Sequence, residues 1–188
     1  PPPPIGTKAK GQRIRGQEEE QTRRGITIAA KFPSMIESDF LFLGGEDSAR
    51  SEHVLKSLQI SHIVNMCAEI EPPKEIAGGG GGAGGKGTTT KEYLHCPCDD
   101  VSTEGILQHL GRVCEFVEDA RKKGGRVLVH CAMGISRSPT AVIAWLMKTR
   151  GMDVQQAHDF VKQRRPQVKP NPGFLRQLEE FGRSVSIG

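Results

Sequence analysis

Cysteine is scarce, with five in 188 residues, too few for the cross-linked scaffold of a small secreted domain. Long apolar runs are missing as well. The longest, Ala141–Met147, falls well short of the ~18 residues a membrane-spanning helix needs. The chain is therefore read as having no such helix and no membrane partner. Nothing at its start resembles an export signal, because four prolines lead into a basic stretch with no apolar segment. The chain begins at Pro1 rather than Met, which reads as a fragment or a processed product. Charge of one sign is also limited, at a net +4. Most of it sits in residues 1–30, where Lys8, Lys10, Arg13, Arg15, Arg23 and Arg24 oppose Glu18, Glu19 and Glu20. The remainder is near neutrality, which argues against a dedicated nucleic-acid binder. These absences leave a globular protein of a reducing compartment, read as cytoplasmic with the nucleus as a second location.

What is present divides into a tail, a body and an insertion. Residues 1–30 have almost no apolar side chains before Ile26 and cannot build a core. A body follows from residue 31 to 188. It is interrupted at 77–90 by a segment rich in glycine and threonine, read as a flexible loop insertion because glycine offers nothing to pack. Gly80, Gly85 and Lys86 match the spacing of a nucleotide-binding loop. Gly87 stands where a Ser or Thr should hold magnesium, so the segment is read as a linker.

The body alternates strands and helices. Phe40–Leu43, Ile60–Met66, Tyr93–Pro97 and Arg126–His130 are apolar runs of strand length, and Ala49–Leu58 has helical spacing. Ile106, Leu110, Val113, Val117 and Ala120 form one face of an amphipathic helix that Gly124-Gly125 ends. A further helix is expected from Ser138 as N-cap, with Pro139 in the first turn and Gly151 as its cap. Asp153 with Gln156 predicts a capping box for the next, stopped by Pro166. Asn171-Pro172 opens the last, with Phe174, Leu175, Leu178 and Phe181 on one face. The pattern predicts an α/β sandwich with a mostly parallel central sheet flanked by helices.

The segment from His130 through Cys131, Ala132, Met133, Gly134, Ile135, Ser136 and Arg137 to Ser138 carries the chemistry. A strand runs into a short loop and the loop into a helix. Ligands bind at the carboxyl ends of strands in such sheets, and the loop N–H groups with the helix N-terminus make an anion site. A Cys at the start of the loop sits in the same positive potential, which favours its thiolate. Arg137, six residues on, offers a planar fork to two phosphate oxygens. Such a loop holds a dianionic phosphate over a sulfur nucleophile. No cofactor is implied, and Cys96-x-Cys98 lacks the second pair of a metal site, so none is expected.

The run HCAMGISRS resembles the HC-x5-R-S signature of the cysteine-based protein phosphatases, specifically the dual-specificity group. The likeness extends through FLFLGG, GGRVLVHC and FVKQRRPQVKPNPGFLRQL to cover roughly residues 33–184. It implies a two-step hydrolysis of phosphotyrosine and phosphoserine or phosphothreonine in proteins through a phosphocysteine on Cys131. The family's general acid falls on Asp100, with Asp99 as its alternative. The resemblance gives Arg137 the phosphate oxygens, Ser138 the departing thiolate and His130 a structural role. Asn171 resembles a family Asn at the start of the last helix, where an N-cap role is equally open.

Cys67, in IVNMCAE, resembles a second Cys that protects the nucleophile from over-oxidation in tumour-suppressor lipid phosphatases of the superfamily. That likeness implies a redox partner for Cys131, against a buried strand cysteine. Loop positions 132–136 carry no basic residue, which favours a phosphoprotein over a phosphoinositide. In the tail, Arg23, Arg24, Ile26 and Ile28 resemble the docking peptide of mitogen-activated protein (MAP) kinase partners, implying a MAP kinase as substrate. The alternative is a phosphoprotein-binding adaptor on the same fold.

Overall fold

The computed structural model describes residues 32–72 and 91–185. The tail, the docking segment Arg23–Ile28 and the insertion at 77–90 lie outside the described residues. Five short strands are found among those described: β1 (Ser34–Glu37), β2 (Leu41–Gly44), β3 (His62–Asn65), β4 (Glu92–His95) and β5 (Val127–His130). Their order is β1-β2-β5-β3-β4. β2, β5, β3 and β4 run parallel, and β1 pairs antiparallel with β2 at one edge. The mostly parallel sheet expected from the alternation is the one observed.

Side-chain alternation explains why both faces of the sheet are apolar. Phe42, Leu128 and Ile63 are in register across β2, β5 and β3, and they belong to a small core with Leu55 and Ile60. Leu43, Val129 and Val64 occupy the next register position and join the main core with the helices of the other face.

The helices are α1 (Glu46–Arg50), α2 (Glu52–Ser57), α3 (Leu107–Lys122), α4 (Arg137–Arg150), α5 (Val154–Arg164) and α6 (Pro172–Val185). α4 is central and packs against α3, α5 and α6. Its residues from Arg137 to Met147 are all buried, and over Ala141–Met147 the helix is apolar on every side, as burial requires. The buried face of α3 is Leu110, Val113, Cys114, Val117 and Ala120. Gly151 caps α4 in the left-handed conformation at φ 63°, and the Asp153–Gln156 capping box opens α5.

Three boundaries differ from expectation. The helix expected over Ala49–Leu58 is two short helices, because the Ser51 side chain accepts the Val54 N–H and starts α2 afresh. β1 was not expected, since only Ile36 of its four residues is buried. Ser138 is not the N-cap of α4. The helix starts at Arg137 with Ser136 as N-cap, and the Ser138 hydroxyl instead points to Cys131 Sγ and the Gly44 carbonyl. Pro139 still sits in the first turn, where its missing N–H costs nothing.

The parallel register sets the position of the site. Gly44, His130, Asn65 and His95 are level with one another at the carboxyl ends of four strands. The chain segments leaving those ends carry Gly45, Cys131, Cys67 with Glu69, and Cys98 through Ser102. Groups scattered over nearly ninety residues of sequence thus reach one edge of one sheet.

Candidate active site

Cys131 leaves β5 at the bottom of a loop that closes at Arg137. Two donors converge on its sulfur: the Gly134 N–H at 3.2 Å and the Ser138 hydroxyl at 3.2 Å. Donors aimed at a sulfur favour its anion. The loop carbonyls all point the other way. Ala132 O accepts from Glu46 N, Met133 O and Gly134 O from the Arg165 guanidinium, and Ile135 O from Lys169 N. Ser136 O accepts from both the N–H and the hydroxyl of Thr140. In a planar trans peptide the C=O of one residue and the N–H of the next point in opposite directions. Five outward carbonyls therefore leave the N–H groups after them facing inward, which is a cradle for an anion. Gly134 has φ +67°, and a Cβ there would lie 2.6 Å from Gly44 O. Only glycine fits that turn.

Arg137 is buried at the helix end of the loop. Its Nη1 and Nη2 each meet an oxygen of Glu69 at 2.6 Å, and Nη1 also donates to the Cys98 carbonyl at 3.0 Å. Burial works against its charge, but Glu69 and the Cys67 and Cys131 sulfurs outweigh it and keep the guanidinium protonated. Glu69 is in turn held below the usual carboxylate range, first by its hydrogen bond to Arg137. Nε is buried with no hydrogen-bond partner among the described residues. The Glu69 pair thus occupies one edge of the guanidinium and leaves the Nε edge for an anion.

Asp100 stands across from that edge, its Oδ2 3.9 Å from Arg137 Nε. Its Oδ1 accepts the Ser136 hydroxyl at 2.6 Å and the Asn171 side-chain N–H at 2.9 Å. Ser136 in turn accepts the Asn171 backbone N–H at 3.1 Å, and Asn171 Oδ1 caps α6 through Phe174 N at 3.0 Å. Asn171 thus serves both readings left open by the sequence, as a helix cap and as an anchor of Asp100. One carboxylate oxygen is pinned and the other is left toward the site. The loop bearing Asp100 is seated on α6 where Gly173 has no side chain, since a Cβ there would lie 1.9 Å from Ser102 O. Asp99 makes no side-chain hydrogen bond or ion pair with any of these groups.

His130 is buried, and burial pushes its imidazole down to about 4, so the ring is neutral at physiological pH. Its Nδ1 is buried with no hydrogen-bond partner among the described residues. Cys67 lies by the Ala132 backbone and feels the charges of Arg137 and Cys131, while burial pushes its thiol up to about 12. Cys67 and Cys131 are both free thiols in this structure. Met133 is 69% exposed and Val101 50%, so the loop and the Asp100 segment each present one apolar side chain at the rim.

The structure brings Cys131, Arg137, Asp100, Ser136, Ser138 and Asn171 together. Sequence reasoning missed Glu69 and Arg165. Both lie inside segments quoted for their resemblance, but no local spacing marks their role, because each acts on the loop across tens of residues. The faint signals were an acidic residue just after a buried strand, and an arginine between a helix end and a proline.

Residues 41–184 match the family model described as dual specificity phosphatase, catalytic domain. The chain is 40% identical over 166 residues to MAP kinase phosphatase with leucine-rich repeats protein 3 of Dictyostelium discoideum, covering 87% of this chain and 18% of that protein. It is 36% identical over 157 residues to dual specificity protein phosphatase 1 of Arabidopsis thaliana, covering 82% of this chain and 71% of that one. The chain therefore spans less than a fifth of the Dictyostelium relative's length. The crystal structure of DUSP15 superposes with a TM-score of 0.72 at 30% identity, over 83% of this chain and 90% of that one. By matched sequence and by fold, this chain belongs to the dual specificity phosphatases, cysteine-based members of the protein tyrosine phosphatase superfamily.

Proposed function

We propose that this domain hydrolyses phosphate monoesters on proteins, accepting phosphotyrosine and phosphoserine or phosphothreonine, with Cys131 as nucleophile and Asp100 as general acid. The single observation behind this reading is that the Gly134 N–H and the Ser138 hydroxyl converge on the Cys131 sulfur at one end of the loop, while Arg137 at its other end turns a hydrogen-bond-free Nε toward Asp100. In the first step the Cys131 thiolate attacks phosphorus and the P–O bond to the substrate breaks. The proton of Asp100 moves to the departing oxygen, which would otherwise leave as a poor alkoxide or phenolate. In the second step water attacks the phosphocysteine, the Asp100 carboxylate takes its proton, and the S–P bond breaks. Ser138 and the Gly134 N–H receive the returning thiolate. Arg137 and the inward N–H groups hold the equatorial oxygens throughout.

Two features support a protein substrate. The loop side chains between Cys131 and Arg137 carry no charge to meet a second or third phosphate. Met133 and Val101 offer apolar contact to residues flanking the phosphorylated one. A MAP kinase as substrate is supported by the name of the Dictyostelium relative and by Arg23, Arg24, Ile26 and Ile28 in the tail. Deleting residues 1–30 is then expected to raise KM for a phosphorylated MAP kinase about tenfold and to leave turnover of a small aryl phosphate unchanged. Equal KM values for the two forms contradict the docking role.

The acid is tested with Asp100→Asn. With an alkyl phosphate, whose leaving oxygen needs a proton, kcat is expected to fall about 100-fold with little change in KM. With a strongly activated aryl phosphate the loss is expected to be several-fold smaller. An equal loss on both substrates would assign Asp100 to binding rather than proton transfer.

A further inference from the structure

Arg165 is 1% exposed and is among the largest fully buried side chains of the molecule. A buried guanidinium is costly unless an anion offsets it. Among the described residues no ion pair includes it. Its hydrogen bonds all end on neutral acceptors. Nε donates to Gly134 O at 2.8 Å and Nη2 to Met133 O at 3.1 Å, while Nη1 reaches Phe32 O at 3.3 Å and the Ser34 hydroxyl at 3.4 Å.

The chain goes to some length to put it there. Pro166 drives the residue before it out of the helical region, and Arg165 leaves α5 at φ −141° and ψ 87°, turned beneath the loop. Gly134 leaves room for it, since a Cβ would lie 2.8 Å from Nη2.

We propose that Arg165 is a positioning residue of the phosphate site: its fork holds the Met133 and Gly134 carbonyls outward, turns the Gly134 and Ile135 N–H groups toward the anion, and supplies from below a charge that the Cys131 thiolate and bound phosphate offset. This deepens the phosphatase reading of the same loop and rests on it. The peptide plane carries the argument. The Met133 carbonyl tied to Nη2 belongs to the same plane as the Gly134 N–H, and that N–H is the one donating to Cys131 Sγ at 3.2 Å. The Gly134 carbonyl tied to Nε fixes the Ile135 N–H in the same way. Burial lowers the proton affinity of Arg165, and the one charge that raises it is the Cys131 sulfur. The titratable and charged groups around that sulfur are Arg137 from α4, Cys67 from the segment after β3, neutral His130 from β5, and Arg165 from the end of α5. Glu69 and Asp100 act on it through Arg137.

The test uses the full chain with Arg165→Met and Arg165→Lys. Alkylation of Cys131 by iodoacetamide is followed across pH, with and without inorganic phosphate as protecting anion, and cooperative melting checks the fold. In Arg165→Met the midpoint of the alkylation profile is expected to rise by about one pH unit, and phosphate protection to weaken about tenfold. In Arg165→Lys the midpoint stays near that of the intact protein because the charge remains. Protection still weakens, because an ammonium cannot bridge two carbonyls in a plane. A folded Arg165→Met with both readouts unchanged overturns the proposal and leaves Arg165 a strut. Should Arg165→Met fail to fold, Arg165→Lys decides: weakened protection supports the proposal and unchanged protection overturns it. Failure of the phosphatase reading shows separately, as an intact protein that phosphate does not protect at all.

Discussion

Cys131→Ser is expected to reduce turnover of an aryl phosphate on the order of 10⁴-fold or more while leaving the melting temperature within a few degrees. A hydroxyl is the nearest isostere of the thiol, so packing below the loop is preserved. It is also a far weaker nucleophile than sulfur in the same position. The Gly134 N–H and Ser138 hydroxyl that converge on Sγ would then face a neutral atom. Phosphate binding should survive or tighten, since a loop freed of the thiolate's charge no longer repels the dianion. The variant should therefore capture phosphorylated partners without releasing them. Residual turnover within tenfold of the intact protein would move the nucleophile elsewhere.

Arg137→Lys is the second large effect, at about 10³-fold in kcat/KM, or ~4 kcal/mol of transition-state stabilisation. A lysine keeps the charge and loses the geometry. The guanidinium here is to serve two partners at once, with the Nη1 and Nη2 edge on Glu69 at 2.6 Å and the Nε edge, free of hydrogen bonds, on the site. A single ammonium cannot hold Glu69 and two phosphate oxygens together. Glu69→Gln separates the contributions, because the amide keeps one acceptor and removes the charge. It is expected to cost about tenfold, chiefly in KM, as the fork is held less firmly. Steady-state kinetics on one substrate with all three proteins checks both expectations. An Arg137→Lys enzyme within a few-fold of the intact one would contradict the two-edge geometry.

How much of this was legible in the sequence follows from how local each interaction is. The strand ending at His130, the loop and Arg137 lie in one continuous run, and their spacing alone specifies a strand, an anion-binding turn and a helix. The capping box of Asp153 and Gln156 and the left-handed Gly151 are equally local, and both formed as expected. The start of α4 was misread because two serines flank Arg137 and a cap is the ordinary role of such a residue. Both hydroxyls are engaged elsewhere, Ser136 with Asp100 and Ser138 with Cys131, and no local rule reveals that. β1 was hidden for a different reason. Edge strands with one buried residue lack the apolar alternation that marks a strand, and Met35 stays half exposed.

Glu69 and Arg165 mark the limit most clearly. Their partners lie 68 and 31 residues away, and in the case of Arg165 the partners are backbone carbonyls that no side-chain pattern records. The parallel register supplies what the sequence cannot. It brings the ends of β2, β3, β4 and β5 level, so that residues with no sequence relationship become neighbours at one edge.

Phosphorus is expected to pass to Cys131 before water releases it. This order is tested by mixing Asp100→Asn with a strongly activated aryl phosphate, whose leaving oxygen needs no proton, quenching rapidly in denaturant and locating the phosphoryl group by peptide mass spectrometry. Loss of the base in the second step should let the intermediate accumulate. The predicted result is one phosphoryl group on the peptide containing Cys131, absent when Cys131 is replaced by Ser. Turnover that continues with no phosphoryl group on Cys131, or with one on another residue, would contradict the account.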